Sequence, residues 1–303
     1  MNFNMYIDVS PFAHEQIHNL CGYKGKRLKA NGKSDRIGQF LGFEEEQEEF
    51  LAGLDFRLKE IVKTVPDIVN KIIFTFDCMD TKCFRHDIYD GYKDGRQTHQ
   101  MAYDYGEFKK CYKEYMLFLK NAGFLTLEID ALEADDIIGE LCDLSISDKQ
   151  NAMILTPDSD LKQLLTSSED CSIVMYDSNK KIIVTDKKFT VANLINSGWD
   201  NMGGILDNNI SSDKVHSFFR NTTKIEPKQL LLSKIIAGDK SDNISSCMSY
   251  TRGASTFGIT EKRMDAFWES YNGKTDDIMN WGFIQGNVIP SLNEIYIPFS
   301  VPA

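Results

Sequence analysis

The stretch Leu125–Leu164, LTLEIDALEADDIIGELCDLSISDKQNAMILTPDSDLKQL, decides the fold. Leu125–Ile129 is a short apolar run of strand length. Glu133–Leu144 carries the i, i+3, i+4 apolar spacing of a helix. Ala152–Leu155 is a second apolar run, and a helical pattern follows it through Leu165. Strand, helix and strand in succession specify a parallel pair of strands covered by a helix.

The same alternation extends in both directions. Met5–Val9 reads as a short buried strand and is followed by a helix through Glu15–Leu20. Gly22–Gly42 is rich in Gly, Lys and Arg and reads as a loop. Phe43–Val65 is helical, with an acidic first turn that suits the helix dipole. Lys71–Phe76 (KIIFTF) is a buried strand. Glu107–Asn121 is a helix, its apolar stripe made by Phe108, Tyr112, Tyr115, Met116 and Leu119. Ile173–Tyr176 and Lys181–Val184, joined by DSNK, read as a hairpin. The expected class is therefore α/β, with a mostly parallel central sheet flanked by helices over residues 1–185. Residues 186–270 show helical patterns and no strong strand, so 186–286 is expected to be a smaller helical subdomain centred on Pro227–Tyr271. The tail 287–303 is apolar and contains three prolines.

The acidic residues fall in five clusters along this framework. They are Asp8 in MYIDVS, Asp77 in IIFTFDCMD, Glu133, Asp135 and Asp136 in LEADDIIGEL, Asp158 and Asp160 in ILTPDSDL, and Asp239 and Asp242 in AGDKSDNI. Each sits just after an apolar run or at the start of a helical pattern. Singly, each is also what a helix cap or an Asx-turn looks like. Together they lie where the carboxyl edge of an α/β sheet binds ligands. Carboxylates gathered there repel one another unless cations lie between them, and oxygen-only ligands suit Mg²⁺. Two such ions side by side make a phosphodiester-cleaving device.

The net charge of −11, from 34 basic and 45 acidic residues, is unlike the basic footprint of most nucleic-acid binders. The clustered carboxylates account for much of that excess, and bound cations would neutralise part of it. The seven cysteines are scattered with no CxxC pair, which fits a reducing compartment. No apolar run is long enough to span a membrane, and the N-terminus lacks the regions of a signal peptide. Locally the charge reverses. Residues 82–113 hold seven basic side chains against five acidic ones, and Arg85, Tyr92, Lys93 and Arg96 form the pattern R-x₆-Y-K-x₂-R. On a helix, Tyr92 and Arg96 would be neighbours at i, i+4. Lysine and arginine there would grip phosphate, and the tyrosine would offer a base a stacking platform.

In order and spacing, YIDVS, FTFD, EADD, TPDSDLKQL and GDKSDNI resemble the phage and bacterial 5′-nuclease family, the flap-endonuclease superfamily. The likeness runs from about Met5 to Phe267 and is nearest to the ribonuclease H branch of T-even-like phages. It implies a PIN-like nuclease fold with two Mg²⁺ ions, Mn²⁺ substituting, and hydrolysis near a 5′ end to leave 5′-phosphate and 3′-hydroxyl. By resemblance, Asp8, Asp77, Asp135 and Asp158 are first-ion ligands, with Glu133 close by or bound through water. Asp160, Asp239 and Asp242 are second-ion ligands, and Asp136 matches an acidic position found in only some members. The segment 78–106 corresponds to an arch over the site. Lys93 there stabilises transition-state charge, Arg85 and Arg96 position the substrate, and Lys82 adds a phosphate contact. The family's glycine-rich helix-hairpin-helix turn is altered, because Thr260 stands where a second glycine is expected after Gly258. Arg252, Lys262 and Arg263 remain there as duplex contacts.

The implied partners are DNA and RNA–DNA duplexes with 5′ ends, forks or flaps, met by a monomer in the cytoplasm of an infected bacterium. The tail is a docking segment for a sliding clamp or a single-strand-binding protein, or it packs on its own body. Three rivals stand beside this reading. GDKSDN also looks like the GDxxxD loop of haloacid-dehalogenase-type phosphatases, but those need Asp-x-Asp after the first strand, and Asp8 is followed by Val9 and Ser10. A single-strand ribonuclease of the PIN type is usually much shorter. A non-catalytic, structure-specific DNA-binding protein on the same fold would be expected to lose carboxylates, and this chain keeps the full set.

Overall fold

A computed structural model describes residues 3–30, 40–65, 69–88, 92–93, 103–191, 217–228 and 230 of the 303-residue chain. In chain order the elements are β1 (Phe3–Asp8), α1 (Ser10–Ala30), α2 (Glu44–Val62), β2 (Val69–Phe76), α3 (Arg85–Ile88), α4 (Tyr105–Asn121), β3 (Leu125–Glu128) and α5 (Ala134–Ser147). They continue with β4 (Asn151–Thr156), a 3-10 turn (Asp160–Leu164), β5 (Thr166–Ser167), β6 (Ser172–Asp177), β7 (Ile182–Asp186) and β8 (Thr222–Ile225). The strands form one sheet in the order β3-β2-β1-β4-β6-β7-β8, with β5 paired on β6. Pairs β3/β2, β2/β1, β1/β4, β4/β6 and β7/β8 are parallel, whereas β6/β7 and β5/β6 are antiparallel.

Alternate residues of the central strands feed two separate cores, because side chains on a strand point to opposite faces. Met5, Ile7, Phe74, Phe76, Met153 and Leu155 join Phe12 of α1, Phe50 of α2 and Phe108 of α4 on one face. Tyr6, Ile73 and Ile154 join Ile137, Ile138 and Leu141 of α5 on the other. A parallel strand covered on both faces has no polar side to show, which is why these runs read as continuously apolar.

The order of the strands locates the site. From β1 the chain moves outward to β2 and β3, then crosses back through α5 to β4 on the opposite flank of β1. That reversal opens a crevice at the carboxyl ends of β1 and β4, the usual ligand position of an open α/β sheet. Asp8 ends β1, Asp77 follows β2 and Asp158 follows β4.

Four features depart from the sequence reading. Helix α1 continues through Gly22 and Gly25 to Ala30, where a loop is expected. Glycine lowers helix propensity, which is why a loop is expected there. The helix expected after β4 is a five-residue 3-10 turn. Strand β5 has only two residues and leaves no pattern to read. Strand β8, TTKI, lies beyond residue 185, where no strand is expected, and pairs parallel with β7. It is short and half-exposed, so it lacks the apolar run that marks its neighbours. Nearly all of the expected helical subdomain, and the whole of the tail 287–303, lie outside the described residues.

Candidate metal centre

Four backbone ends converge on the crevice. Asp8 is buried at the end of β1. Its Oδ1 accepts the Ser10 N–H at 3.3 Å, and its Oδ2 accepts the Thr156 hydroxyl at 3.1 Å. The same Thr156 oxygen accepts the Asp158 N–H at 3.1 Å, so one threonine ties the ends of β1 and β4 together. Asp158 in turn accepts the Asp160 N–H through Oδ1 at 2.8 Å, an Asx-turn that opens the 3-10 segment. Asp77 accepts the Ala134 N–H through Oδ1 at 2.8 Å, capping the first turn of α5. The anionic cap and the positive end of the helix dipole favour each other.

Tyr112, placed on the apolar stripe of α4, also serves the site. Its hydroxyl accepts the Asp77 N–H at 3.1 Å and thereby fixes where β2 ends. Tyr112→Phe is expected to lower stability by about 1–2 kcal/mol, the cost of leaving a partly buried donor unmatched. An unchanged urea midpoint would show the contact to be idle.

The electrostatics record how tightly the carboxylates are packed. Burial pushes Asp8 well above the ordinary carboxylate range, and the charges of Asp77 and Asp158 push it further. Asp77 is raised by burial and by Glu133. Asp135 is raised well above its ordinary value by burial, then by Asp136 and Glu133. Its Oδ1 is buried and has no hydrogen-bond partner. A buried carboxylate oxygen without a donor is costly and asks for a cation. Asp8, Asp77 and Asp158 lie near enough for their charges to interact, Asp135 stands beside Glu133 and Asp136, and such all-oxygen donors suit a hard divalent ion.

Beside this cluster stands a second one that already holds its own cations. Arg85 is 1% exposed and forms a bidentate pair with Asp136: one nitrogen donates to Oδ2 at 2.7 Å and the other contacts Oδ1. Its first nitrogen also reaches Glu133 Oε2 at 3.2 Å and Cys83 Sγ at 3.4 Å. Cys83, Glu133 and Asp136 have ligand atoms within 4.8 Å of one another, the spacing of a metal site. The guanidinium touches all three, so the positive charge they surround is Arg85. Burial opposes that charge, but the hydrogen bonds and charge of Asp136 outweigh it and push the Arg85 pKa upward.

Glu133 joins the two clusters. Its Oε2 accepts Arg85 and also the Tyr92 hydroxyl at 2.8 Å, while its Oε1 pairs with Lys93. Burial raises Glu133, yet Lys93 and Arg85 outweigh burial and leave it below its ordinary value.

These placements change several expected roles. Arg85 is a buried brace rather than an open grip on phosphate. Asp136 has both oxygens engaged by Arg85 and is not placed as a metal ligand. Tyr92 is 2% exposed, with its hydroxyl on Glu133, so its ring is not an open platform for a base. Residues 92 and 93 form a turn with Lys93 at φ 56°, not part of a helix. Lys82 is exposed. Arg96, Asp239, Asp242, Arg252, Lys262 and Arg263 lie outside the described residues. The sequence reading passed over Thr156 and the hydroxyl of Tyr112. A polar residue inside an apolar strand or stripe was the available signal.

The structure thus gathers acidic residues at the switch point of an α/β sheet. Residues 49–194 match the family model of the 5'-3' exonuclease, N-terminal resolvase-like domain. Over that segment the chain is similar to the 5'-3' exonuclease family. Among curated proteins it is similar to a 5'-3' exonuclease from Buchnera aphidicola subsp. Schizaphis graminum, 31% identical over 134 residues. That alignment covers 42% of this chain and 43% of the relative. It is also similar to the thermostable DNA polymerase I of Thermus aquaticus, 32% identical over 108 residues. There the alignment covers 36% of this chain and 12% of the polymerase, so the chain spans less than half the length of either relative. Among solved structures it is similar to the T5 5'-exonuclease with bound zinc (TM-score 0.47, 15% identity, 95% of this chain and 86% of that one). It is also similar to the bacteriophage T5 flap endonuclease in complex with DNA and metal ions (TM-score 0.45, 16% identity, 95% and 86%).

Proposed function

We propose that this chain is a divalent-cation-dependent 5′-nuclease that removes RNA primers and adjacent DNA from 5′ ends during phage DNA replication. The observation that carries the reading is Asp135, whose buried oxygen has no donor and whose neighbours at the sheet edge are carboxylates. Asp8, Asp77, Asp135 and Asp158 hold the first cation. Asp160, with Asp239 and Asp242 by resemblance, holds the second. Divalent cations bound there supply Lewis-acid chemistry, acidifying water and neutralising charge on a phosphodiester.

The chain's own residues do the rest. Thr156, the Ser10 N–H and the Ala134 N–H orient Asp8 and Asp77 before any cation arrives. Tyr112 fixes the end of β2 behind them. Lys93 is the ammonium that meets negative charge on the phosphate, a role worth most where water is excluded. Lys82 and Arg96, in the same basic segment, hold flanking phosphates. Arg252, Lys262 and Arg263 grip the duplex from the helical part. Mg²⁺ is the working ion and Mn²⁺ substitutes. The protein acts as a monomer in the cytoplasm of the infected cell, and its apolar tail docks on a sliding clamp or single-strand-binding protein.

The test is cleavage of two 5′-labelled substrates, a DNA flap and a nicked RNA–DNA duplex, with Mg²⁺ and with chelator. Short products released from the 5′ end of the RNA strand, only with Mg²⁺, are expected. Binding to both substrates without cleavage in any divalent ion would replace the nuclease by a structure-specific binding protein.

A further inference from the structure

Lys93 stands in an unusual place for a residue that must meet substrate. Its ammonium pairs with Glu133 Oε1, and it lies 5.0 Å from the centre of the Tyr92 ring. The side chain is 23% exposed, so the contact is partly withdrawn from water. The backbone at Lys93 is left-handed, φ 56°, a region that non-glycine residues seldom occupy. The same ammonium acts on more than its partner, since its charge also favours the ionised forms of Asp77 and Asp135. One positive charge therefore favours the ionised forms of three carboxylates.

Glu133 is built to present a single oxygen to that charge. Oε2 is held by Arg85 and Tyr92, which fixes the carboxylate plane, and Oε1 faces the ammonium. We infer that in the metal-free protein Lys93 is an internal counter-ion, and that a divalent cation entering beside Asp77 and Asp135 releases it toward the substrate. The inference rests on the metal-site reading and adds to it an order of events: cation first, then an ammonium released from Glu133. Two positive charges cannot share Glu133 Oε1 and its neighbours without repulsion, so occupancy by one weakens the hold on the other. Arg85 and Tyr92 are positioning residues in this scheme, because they keep Oε1 aimed whether Lys93 or the cation has its charge.

Linkage makes the exchange measurable without activity. A residue that competes with a ligand lowers the ligand's affinity, and its removal raises it. Lys93→Met keeps the length of the stem and deletes the charge. In calorimetric titration of the DNA-free proteins with Mn²⁺, Lys93→Met is expected to bind the first ion about ten-fold tighter than wild type, the scale of one partly screened ion pair. A second measurement uses the unaltered chain. Acetylation of the Lys93 amine by a small activated ester, followed by mass spectrometry, is expected to quicken several-fold when Mn²⁺ is added. Equal or weaker Mn²⁺ binding by Lys93→Met, or acetylation of Lys93 unchanged by Mn²⁺, overturns the exchange. Absence of Mn²⁺ binding by both proteins overturns the metal site itself, and the exchange with it.

Discussion

Asp135→Asn is expected to make the metal-free protein more stable at neutral pH while abolishing cation-dependent cleavage. The carboxylate is buried, stands beside Asp136 and Glu133, and has one oxygen without a donor. Its folded-state pKa is raised well above the ordinary value, so the folded protein binds its proton more tightly than the unfolded chain does. Stability from such a group is complete below the ordinary carboxylate pKa and is lost as the pH rises through the raised one. As the pH rises through that raised value, the metal-free protein comes to carry a charge it does not accommodate. Asparagine removes that charge and gives the site an amide, for a gain of about 2 kcal/mol, or roughly 4–8 °C in a chain of this size. The wild type should show the converse, with Mg²⁺ or Mn²⁺ raising its melting temperature and Asp135→Asn responding little. Cleavage by Asp135→Asn should fall by at least about 10³-fold, the scale of losing an electrostatic element of the transition state. DNA binding should persist. Melting scans with and without Mn²⁺ check the first half, and a loss of metal-free stability would contradict it.

The second large effect concerns Arg85. Removing one partner of a buried ion pair leaves the other uncompensated and costs about 3–5 kcal/mol. Arg85→Leu strands Asp136, which is fully buried, and takes one donor from Glu133. The single substitution is expected to cost that amount, read as a fall in the guanidinium midpoint. Arg85→Leu with Asp136→Leu together should recover much of it, because a well-packed apolar pair often matches a buried ion pair. Loss of less than about 1 kcal/mol in the single variant would show that the pair does not brace the segment. The recovered double variant separates bracing from chemistry. If Arg85 acts only through Glu133 and Lys93, cleavage falls with the aim of those groups rather than with lost phosphate contact.

Much of this was readable from sequence because buried parallel strands leave an unmistakable apolar run. MYID ends on Asp8, KIIFTF is followed at once by Asp77, and AMILT is followed by Pro157 and Asp158. The alternation of strand and helix then predicts which edge those residues share. Strand order is another matter. That β4 returns to the far flank of β1, making the switch point, depends on tertiary packing. The basic stretch around Tyr92 shows the limit more sharply. Tyr92 and Arg96 at i, i+4 suggest neighbours on a helix, but residues 92 and 93 turn, and Tyr92 folds inward onto Glu133. A buried arginine looks like an exposed one in sequence, so the Arg85–Asp136 pair left no sign. Thr156 and Tyr112 leave only a faint sign, a hydroxyl inside an otherwise apolar strand or stripe.

The most direct measurement is anomalous diffraction at the manganese edge from crystals grown with Mn²⁺ and without DNA. A peak among Asp8, Asp77, Asp135 and Asp158 is predicted, with the Lys93 ammonium withdrawn from Glu133. No peak in that crevice, with Asp135 still without a partner, would contradict the assignment of these carboxylates as a metal centre.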